Sequence, residues 1–387
     1  MSLKSYLNSA ILRQILVSWM AMMAMLMPST NAKCAFEAIF NFGDSNSDTG
    51  GFYSAFPAQP LPNGMTYFKK PTGRPTDGRL YIDFLAQALG LPFLSPYLQP
   101  IESDYRHGAN FATSGSTVLL PNTSVFVSRT SPFSLAIQLN QMKQFKSRVD
   151  ELNLTGRNNL PPPDIFGKAL YTIYIGQNDF TSNLAAIGIS GVEQFLPQVV
   201  SQIASTIKEL YRLGGRTFLV LNLAPISCYP MFLVELPHNS SDIDAFGCMT
   251  SYNNAVNEYN IMLKETLQQT RKDLSKANVI YVDTHTVLLD LVQYPTSHGL
   301  QHGTRACCGH GGGAYNFSPL IFCGYSTEIN GRTITATACK DPQNYVSWDG
   351  IHTTEAANIL LTNAILNCSY FDPPFPIHQF CDIQPIG

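Results

Sequence analysis

The sequence predicts an α/β protein built on a parallel sheet. Short apolar runs rich in β-branched and aromatic residues alternate with longer stretches of helical period, the pattern of strands joined by helical crossovers. One helical stretch stops at Gly214-Gly215 and leads directly into an apolar run, a complete helix–strand unit. The 45% of apolar residues supply a large core, which excludes wholesale disorder and a disulfide-stapled miniprotein.

The elements follow in order. Residues 35–42 are the first strand, and 169–175 the second, alternating through Tyr171, Ile173 and Ile175. Residues 192–213 carry helical spacing through Phe195, Val199, Ile203, Ile207 and Leu210, and the third strand follows at 217–223. A long helix over 250–274 leads to a fourth strand at 278–282, and a last helix over 353–366 has a threonine available as its N-cap. Between them, 297–341 is rich in glycine and cysteine with little periodicity, a stapled excursion rather than a domain. With no internal repeat and no low-complexity linker, residues 33–387 read as one domain.

The beginning of the chain belongs to targeting. Lys4 and Arg13 precede a mostly apolar run at 15–27, and Thr30-Asn31-Ala32 offers small residues at the −3 and −1 positions of a cleavage site. Residues 1–32 therefore read as a secretory signal peptide, its apolar core shorter than the roughly 20 residues of a membrane span. Cleavage removes two basic residues and no acidic one, taking the net charge from −3 to −5. Charged residues make up only 13%. No basic field exists to hold nucleic acid, and no later stretch reads as a membrane helix.

Two features agree with secretion to the cell exterior. Sequons at Asn122, Asn153, Asn239, Asn316 and Asn367 are candidate glycosylation sites. All nine cysteines lie beyond the leader, six of them after residue 300, where an oxidising compartment lets them staple loops. Nine is odd, so at least one thiol stays outside the intrachain pairs. A zinc site is disfavoured, because no Cys-x-x-Cys pair exists and His310 lacks the paired spacings of a structural site.

Chemistry enters at the end of the first strand, where Asn41-Phe-Gly-Asp44-Ser45-Asn46-Ser-Asp48-Thr-Gly50 sets an acid and a serine at the carboxyl edge of the sheet. Alone, such a string is also an ordinary polar turn. Four blocks in order change that reading: Gly43-Asp44-Ser45, Gly108-Ala-Asn110-Phe-Ala-Thr-Ser-Gly115, Gly176-Gln-Asn178-Asp179 and Asp349-Gly-Ile-His352. Spread over nearly the whole mature chain, they resemble the signature blocks of the GDSL esterase/lipase family, or SGNH hydrolases, in its plant secreted, early-nodulin-like branch. The resemblance implies a flavodoxin-like three-layer α/β/α fold with insertions and a serine hydrolase without metal or organic cofactor. It makes Ser45 the nucleophile, His352 the general base and Asp349 the group that orients the imidazole. The backbone N–H groups of Ser45 and Gly115 and the side-chain amide of Asn178 become oxyanion donors. Serine is a poor nucleophile until a neutral imidazole takes its proton, and a carboxylate fixes that ring's tautomer. Asn46 departs from the family's leucine and alters the pocket beside the nucleophile without touching serine or aspartate.

A second Asp-x-x-His stands at Asp104-Tyr-Arg-His107 and reads as a solvated turn, while His285, His298, His302 and His310 read as loop or core residues. The implied substrate is a small-molecule or polysaccharide acyl ester, with short acyl esters, lipids and acetylated cell-wall polysaccharides all within the family's range. Two rivals stand beside the esterase. A glycosidase would need two flanking carboxylates and no serine, and a secreted carbohydrate-binding or storage protein would need no catalytic set at all.

Overall fold

Strands β1 (Ala38–Gly43), β3 (Ala169–Tyr174) and β4 (Thr217–Leu221) are buried at every position. Such runs are apolar on both faces because helices cover a parallel sheet from both sides. The computed structural model describes residues 34–121, 130–152 and 159–387. The leader and the sequons at Asn122 and Asn153 lie outside them. With β2 (Gly108–Asn110) and β5 (Asn278–Val282), the parallel strands run in the order β2-β1-β3-β4-β5, and Phe371–Asp372 adds an antiparallel edge beside β5. This is the flavodoxin-like order, whose direction of winding reverses between β1 and β3. The register pairs Gly43 with Tyr174, so the loops leaving β1 and β3 emerge at the same level, at the switch point where open sheets place their sites.

Two sets of helices complete the three layers. Leu135–Leu152, Leu196–Arg212 and Thr250–Asp273 pack in succession on one side, and Tyr81–Ala88, Thr284–Gln293 and Glu355–Leu366 on the other. Under the first set, Phe40 stacks on Phe166 at 5.4 Å and meets Phe145 edge-on at 5.8 Å, anchoring β1 from below. The expected helix over 192–213 is in fact two. Val192 belongs to the helix Leu184–Glu193, and a new helix begins at Leu196 with Pro197 in its first turn. Proline has no N–H to donate and fits only where that donor is already unpaired, so an unbroken apolar stripe hides a chain break. Gly214 ends the second helix at φ +117°, as its sequence suggests. The last helix takes Thr354 as its N-cap, its hydroxyl accepting from the Ala357 N–H, while Thr353 remains extended and bridges to Ser347.

The stretch 297–341 is held by short strands and cystines. His302–Ala306 pairs with Tyr345–Ser347, Ser326–Ile329 pairs with Arg332–Thr335, and Cys308–Gly309 pairs with Thr337–Ala338. Cys307–Cys339 and Cys308–Cys323 staple this region, Cys228–Cys248 closes a loop, and Cys34–Cys381 joins the two ends of the described fold. Cys368 is the free thiol. Cys307, Cys308 and Cys323 enclose the buried Trp348, whose indole N–H donates to Asn63 Oδ1 at 2.9 Å. The backbone N–H of Cys308 in turn donates to the Trp348 carbonyl at 2.6 Å. The excursion thus grips the residue next to Asp349.

Replacing Cys308 and Cys323 together by alanine frees a loop with a sequence separation of 15. The expected loss is about 3 kcal/mol, read as a lowered denaturant midpoint. Denatured without reductant, the wild-type chain is expected to take up maleimide on Cys368 alone.

Candidate active site

The turn after β1 is fixed through its backbone. Gln138 clamps Gly43 from both sides, accepting from its N–H at 3.0 Å and donating to its carbonyl at 2.8 Å. Gly43 must be glycine, since a Cβ there would lie 2.5 Å from the Tyr174 carbonyl oxygen and 2.6 Å from Ser47 Oγ. Ser45 follows, 5% exposed, at the carboxyl edge of the sheet. Asp44 Oδ1 accepts from both the backbone N–H and the side-chain Nδ2 of Asn46, each at 2.9 Å. Burial pushes the Asp44 carboxyl up to about 6, against those two hydrogen bonds and the charge of His352.

Asp48 ties this turn to the loop after β2. One oxygen accepts from the N–H groups of Gly50 and Gly51, at 2.8 and 2.6 Å. The other accepts from the Phe52 N–H at 3.2 Å and from the N–H and hydroxyl of Ser114 at 2.7 and 2.9 Å. Beneath them, Asn110 donates to the Ser47 carbonyl at 2.7 Å and accepts from Asn41 at 2.7 Å. Gly115 follows Ser114 at φ +76°, a conformation that suits glycine. After β3, Asn178 donates from Nδ2 to the Ser116 carbonyl at 2.8 Å, and Asp179 accepts from the N–H groups of Val118 and Leu119 at 2.6 and 3.0 Å. Ser45 and Gly115 thus sit on the loops after β1 and β2, and Asn178 on the short helix Gln177–Thr181 after β3, cross-linked at one end of the sheet.

Asp349 and His352 stand on a tight turn between Tyr345–Ser347 and the last helix. The turn is closed by the Trp348 N–H donating to the His352 carbonyl at 2.7 Å. Gly350, at φ +102°, lies so close to Phe317 that a Cβ would sit 2.6 Å from its ring. Asp349 Oδ1 accepts from the N–H groups of Ile351 and His352 at 3.0 and 2.9 Å, and Oδ2 lies 2.7 Å from His352 Nδ1. An ionised carboxylate only accepts, so Nδ1 carries a proton, and Nε2 holds a free lone pair whenever the ring is neutral. Burial pushes the Asp349 carboxyl up, but the charge and hydrogen bonds of His352 outweigh it and hold the group below the usual carboxylate range. Burial pushes the His352 ring down, and the Asp349 charge and hydrogen bond, with Asp44 and Asp48 behind them, carry it above the ordinary value. His352 keeps 14% of its side chain accessible, enough for a substrate to reach its edge.

Asp104 and His107 fall elsewhere. His107 precedes β2, at the amino end of a strand parallel to β1, and its ring bonds to the Glu37 carbonyl at 3.0 Å. Asp104 pairs with Arg106, which pulls its carboxyl down to about 2. His285 is buried, and His298 pairs with Asp290 at 2.7 Å. Asn239 and Asn367 are exposed, whereas the half-buried Asn316 donates to the Ala306 carbonyl at 3.0 Å. Among the described residues, no group of three or more His, Cys, Asp and Glu side chains could hold a metal ion, and no helix is long and apolar enough to cross a membrane. Sequence reasoning passed over Asp48, Gln138 and Asp179. Asp48 lies in the string Asn41–Gly50 and Asp179 in the block that begins at Gly176, but nothing in spacing marks Gln138.

Asp48→Ala leaves several buried N–H groups without an acceptor. The expected loss is about 3 kcal/mol or more, at about 1–3 kcal/mol per orphaned donor, and an unchanged denaturant midpoint would show that the carboxylate is not the tie described.

Comparison with known proteins identifies the family. The family model described as GDSL-like Lipase/Acylhydrolase matches residues 39–365. A GDSL esterase/lipase of Arabidopsis thaliana, At4g01130, is 63% identical over 354 residues, covering 91% of this chain and 93% of that one. The GDSL esterase/lipase ENOD8 of Medicago truncatula is 41% identical, covering 90% of each chain. Alpha-L-fucosidase 3 of Arabidopsis thaliana is 40% identical, covering 89% of this chain and 94% of that one. With a family match from residue 39 to 365 and a relative 63% identical over 91% of this chain, the chain belongs to the GDSL-like lipase/acylhydrolase family.

Proposed function

We propose that the chain is a secreted serine esterase that cleaves acyl esters outside the cell, in the apoplast or cell wall, by an acyl-enzyme route. The observation that carries this reading is the 2.7 Å bond from His352 Nδ1 to an Asp349 carboxylate that is itself held by two backbone N–H groups. That arrangement supplies a basic Nε2, and the nucleophile block of the family pattern is Asp44-Ser45. His352 takes the Ser45 hydroxyl proton as Oγ attacks the ester carbonyl, and the imidazolium then gives that proton to the departing alcohol. Water repeats the sequence and releases the acid. The N–H groups of Ser45 and Gly115 and the second hydrogen of Asn178 Nδ2 would receive the charge on the carbonyl oxygen, each such donor typically supplying about 2.7–4 kcal/mol. Short acyl esters, lipids and acetylated polysaccharides are the substrate classes proposed. The fucosidase name carried by a 40% identical relative keeps glycoside cleavage as the second reading.

A fluorophosphonate probe is expected to label Ser45, as located by peptide mapping. Ser45→Ala is expected to lose the label and at least ~10³ in kcat towards p-nitrophenyl acetate and butyrate, with its fold intact. Turnover of p-nitrophenyl α-L-fucoside that survives in Ser45→Ala would overturn the esterase reading in favour of the second.

An unperturbed imidazole would make turnover climb at about pH 6–7. The raised ring of His352 keeps its proton to higher pH, so kcat/KM is expected to rise with a midpoint above the ordinary histidine value. Asp349→Asn removes the largest charge that raises the ring. It is expected to cut kcat by about 10⁴ and move the residual climb to lower pH.

A further inference from the structure

The hydrogen bonds of Asn46 have no part in the mechanism above. The two hydrogens of its Nδ2 go in opposite directions, to Asp44 Oδ1 at 2.9 Å and to Gln177 Oε1 at 3.3 Å. Its backbone N–H adds a second bond to the same Asp44 oxygen at 2.9 Å. Gln177 directly precedes Asn178, which is itself bonded to the loop after β2. The leucine of the family pattern at this position could make neither side-chain bond.

Asp44 needs that support. Its side chain is buried, and Oδ2 has no hydrogen-bond partner within the protein. Ionising such a carboxyl is costly, and donors to its other oxygen are what favour the charge.

We propose that Asn46 is a positioning residue of the hydrolytic site: its side-chain amide holds the Asp44 carboxylate in place beside Ser45 and joins the nucleophile loop to the short helix that carries Asn178. The inference rests on the esterase reading. Asp44 then serves as a second carboxylate acting on His352, behind Asp349. The titratable groups around Asp44 are His352, Asp48 and Asp179, with the hydroxyls of Tyr81, Tyr174, Tyr229 and Tyr259. Burial pushes all four tyrosines upward, so they stay neutral throughout the range in which histidine titrates. His352 bonds to Asp349 at 2.7 Å, and the charges of Asp44 and Asp48 also act on its ring. Without the Asn46 amide, Asp44 holds its proton more tightly and carries less charge near neutrality. The imidazolium of His352 is then less stabilised, and the ring becomes neutral at lower pH.

The experiment is kcat/KM for p-nitrophenyl acetate against pH, on the full secreted chain, for wild type, Asn46→Leu, Asp44→Asn and the double variant. Fluorophosphonate labelling of Ser45 is measured in parallel. Asn46→Leu is expected to lower kcat by about tenfold or more through misplacement of the loop and to move the rising limb to lower pH. Asp44→Asn should move the limb the same way, and the double variant no further than Asp44→Asn alone. A purely structural role would lower kcat and leave the limb where it was, which overturns the proposal, as do shifts that add independently in the double variant. If Asn46→Leu fails to fold, Asn46→Ala and the near-isosteric Asp44→Asn decide the same question. Failure of the wild type to label on Ser45 would sink the esterase reading itself, whereas a labelled enzyme with an unmoved limb sinks only the role of Asn46.

Discussion

The end of the sheet that carries Ser45 depends on one buried carboxylate, Asp48, that has no direct role in the proposed chemistry. A parallel sheet brings the ends of β1, β2 and β3 side by side but leaves the loops beyond them free to diverge. Asp48 removes that freedom by accepting five hydrogen bonds, three from the residues just after it and two from Ser114 on the neighbouring loop. Hydrogen bonds to a charged group contribute about 1.5–3 kcal/mol each and offset part of the cost of burying this carboxyl. Burial still keeps the Asp48 carboxyl above its ordinary range. Its place in the sequence explains its reach. Three residues after Ser45 and one loop away from Gly115, it sets the spacing between the proposed nucleophile and one oxyanion donor, and the Asn41–Asn110 pair repeats the connection one layer deeper.

Ser45 and His352 come from opposite ends of the chain, so the second half of the site needs its own fixing. The turn carrying Asp349 and His352 is gripped on one side by the cystine-stapled excursion, through Trp348 and the Phe317 ring over Gly350. On the other side it is bonded to residues that follow the nucleophile loop. Thr76 donates to the Thr353 carbonyl at 2.8 Å, the Glu355 N–H donates to Asp77 at 2.7 Å, and Arg79 forms a largely buried ion pair with Glu355 at 2.8 Å. Segment 74–79 therefore connects the two halves. An ion pair of this kind adds geometric definition more reliably than net stability, and a base that must meet a serine hydroxyl within hydrogen-bond reach needs that definition.

What the sequence made legible was whatever has a period or a fixed string. The four expected strands read correctly to within a few residues because both of their faces are apolar, whereas the three-residue β2 left no pattern; the quoted blocks stood out because glycine, asparagine and aspartate recur at turns of set geometry. The helix break at Pro197 was hidden by an apolar stripe that continues across it. The two-residue edge strand at Phe371 is too short to leave a pattern, and its pairing with β5 follows from tertiary contact alone. Disulfide partners are a matter of which loops meet in space, so an odd number of cysteines implied a free thiol without identifying Cys368. Gln138 illustrates the limit. It lies 95 residues from Gly43 on a polar helix, and only the folded backbone shows why an amide must stand there.

The charges around His352 set a trade between its two protonation states. Asp349, Asp44 and Asp48 all favour the imidazolium, the state the ring must pass through while the tetrahedral intermediate exists. In the proposed route the same field binds a proton to the resting ring and withholds the base form until the pH rises, so stabilisation of the transition state and availability of the base oppose each other. A single orienting carboxylate would fix the compromise at one value. A second carboxylate whose own affinity for protons lies at about 6 makes it adjustable, because Asp44 loses its charge as the solution becomes acidic and relaxes its hold on the ring. The buried tyrosines behind Asp44 stay neutral and offer little screening. The hydrogen bonds of Asn46 to that one carboxylate therefore bear on how far into acid the site keeps a usable base.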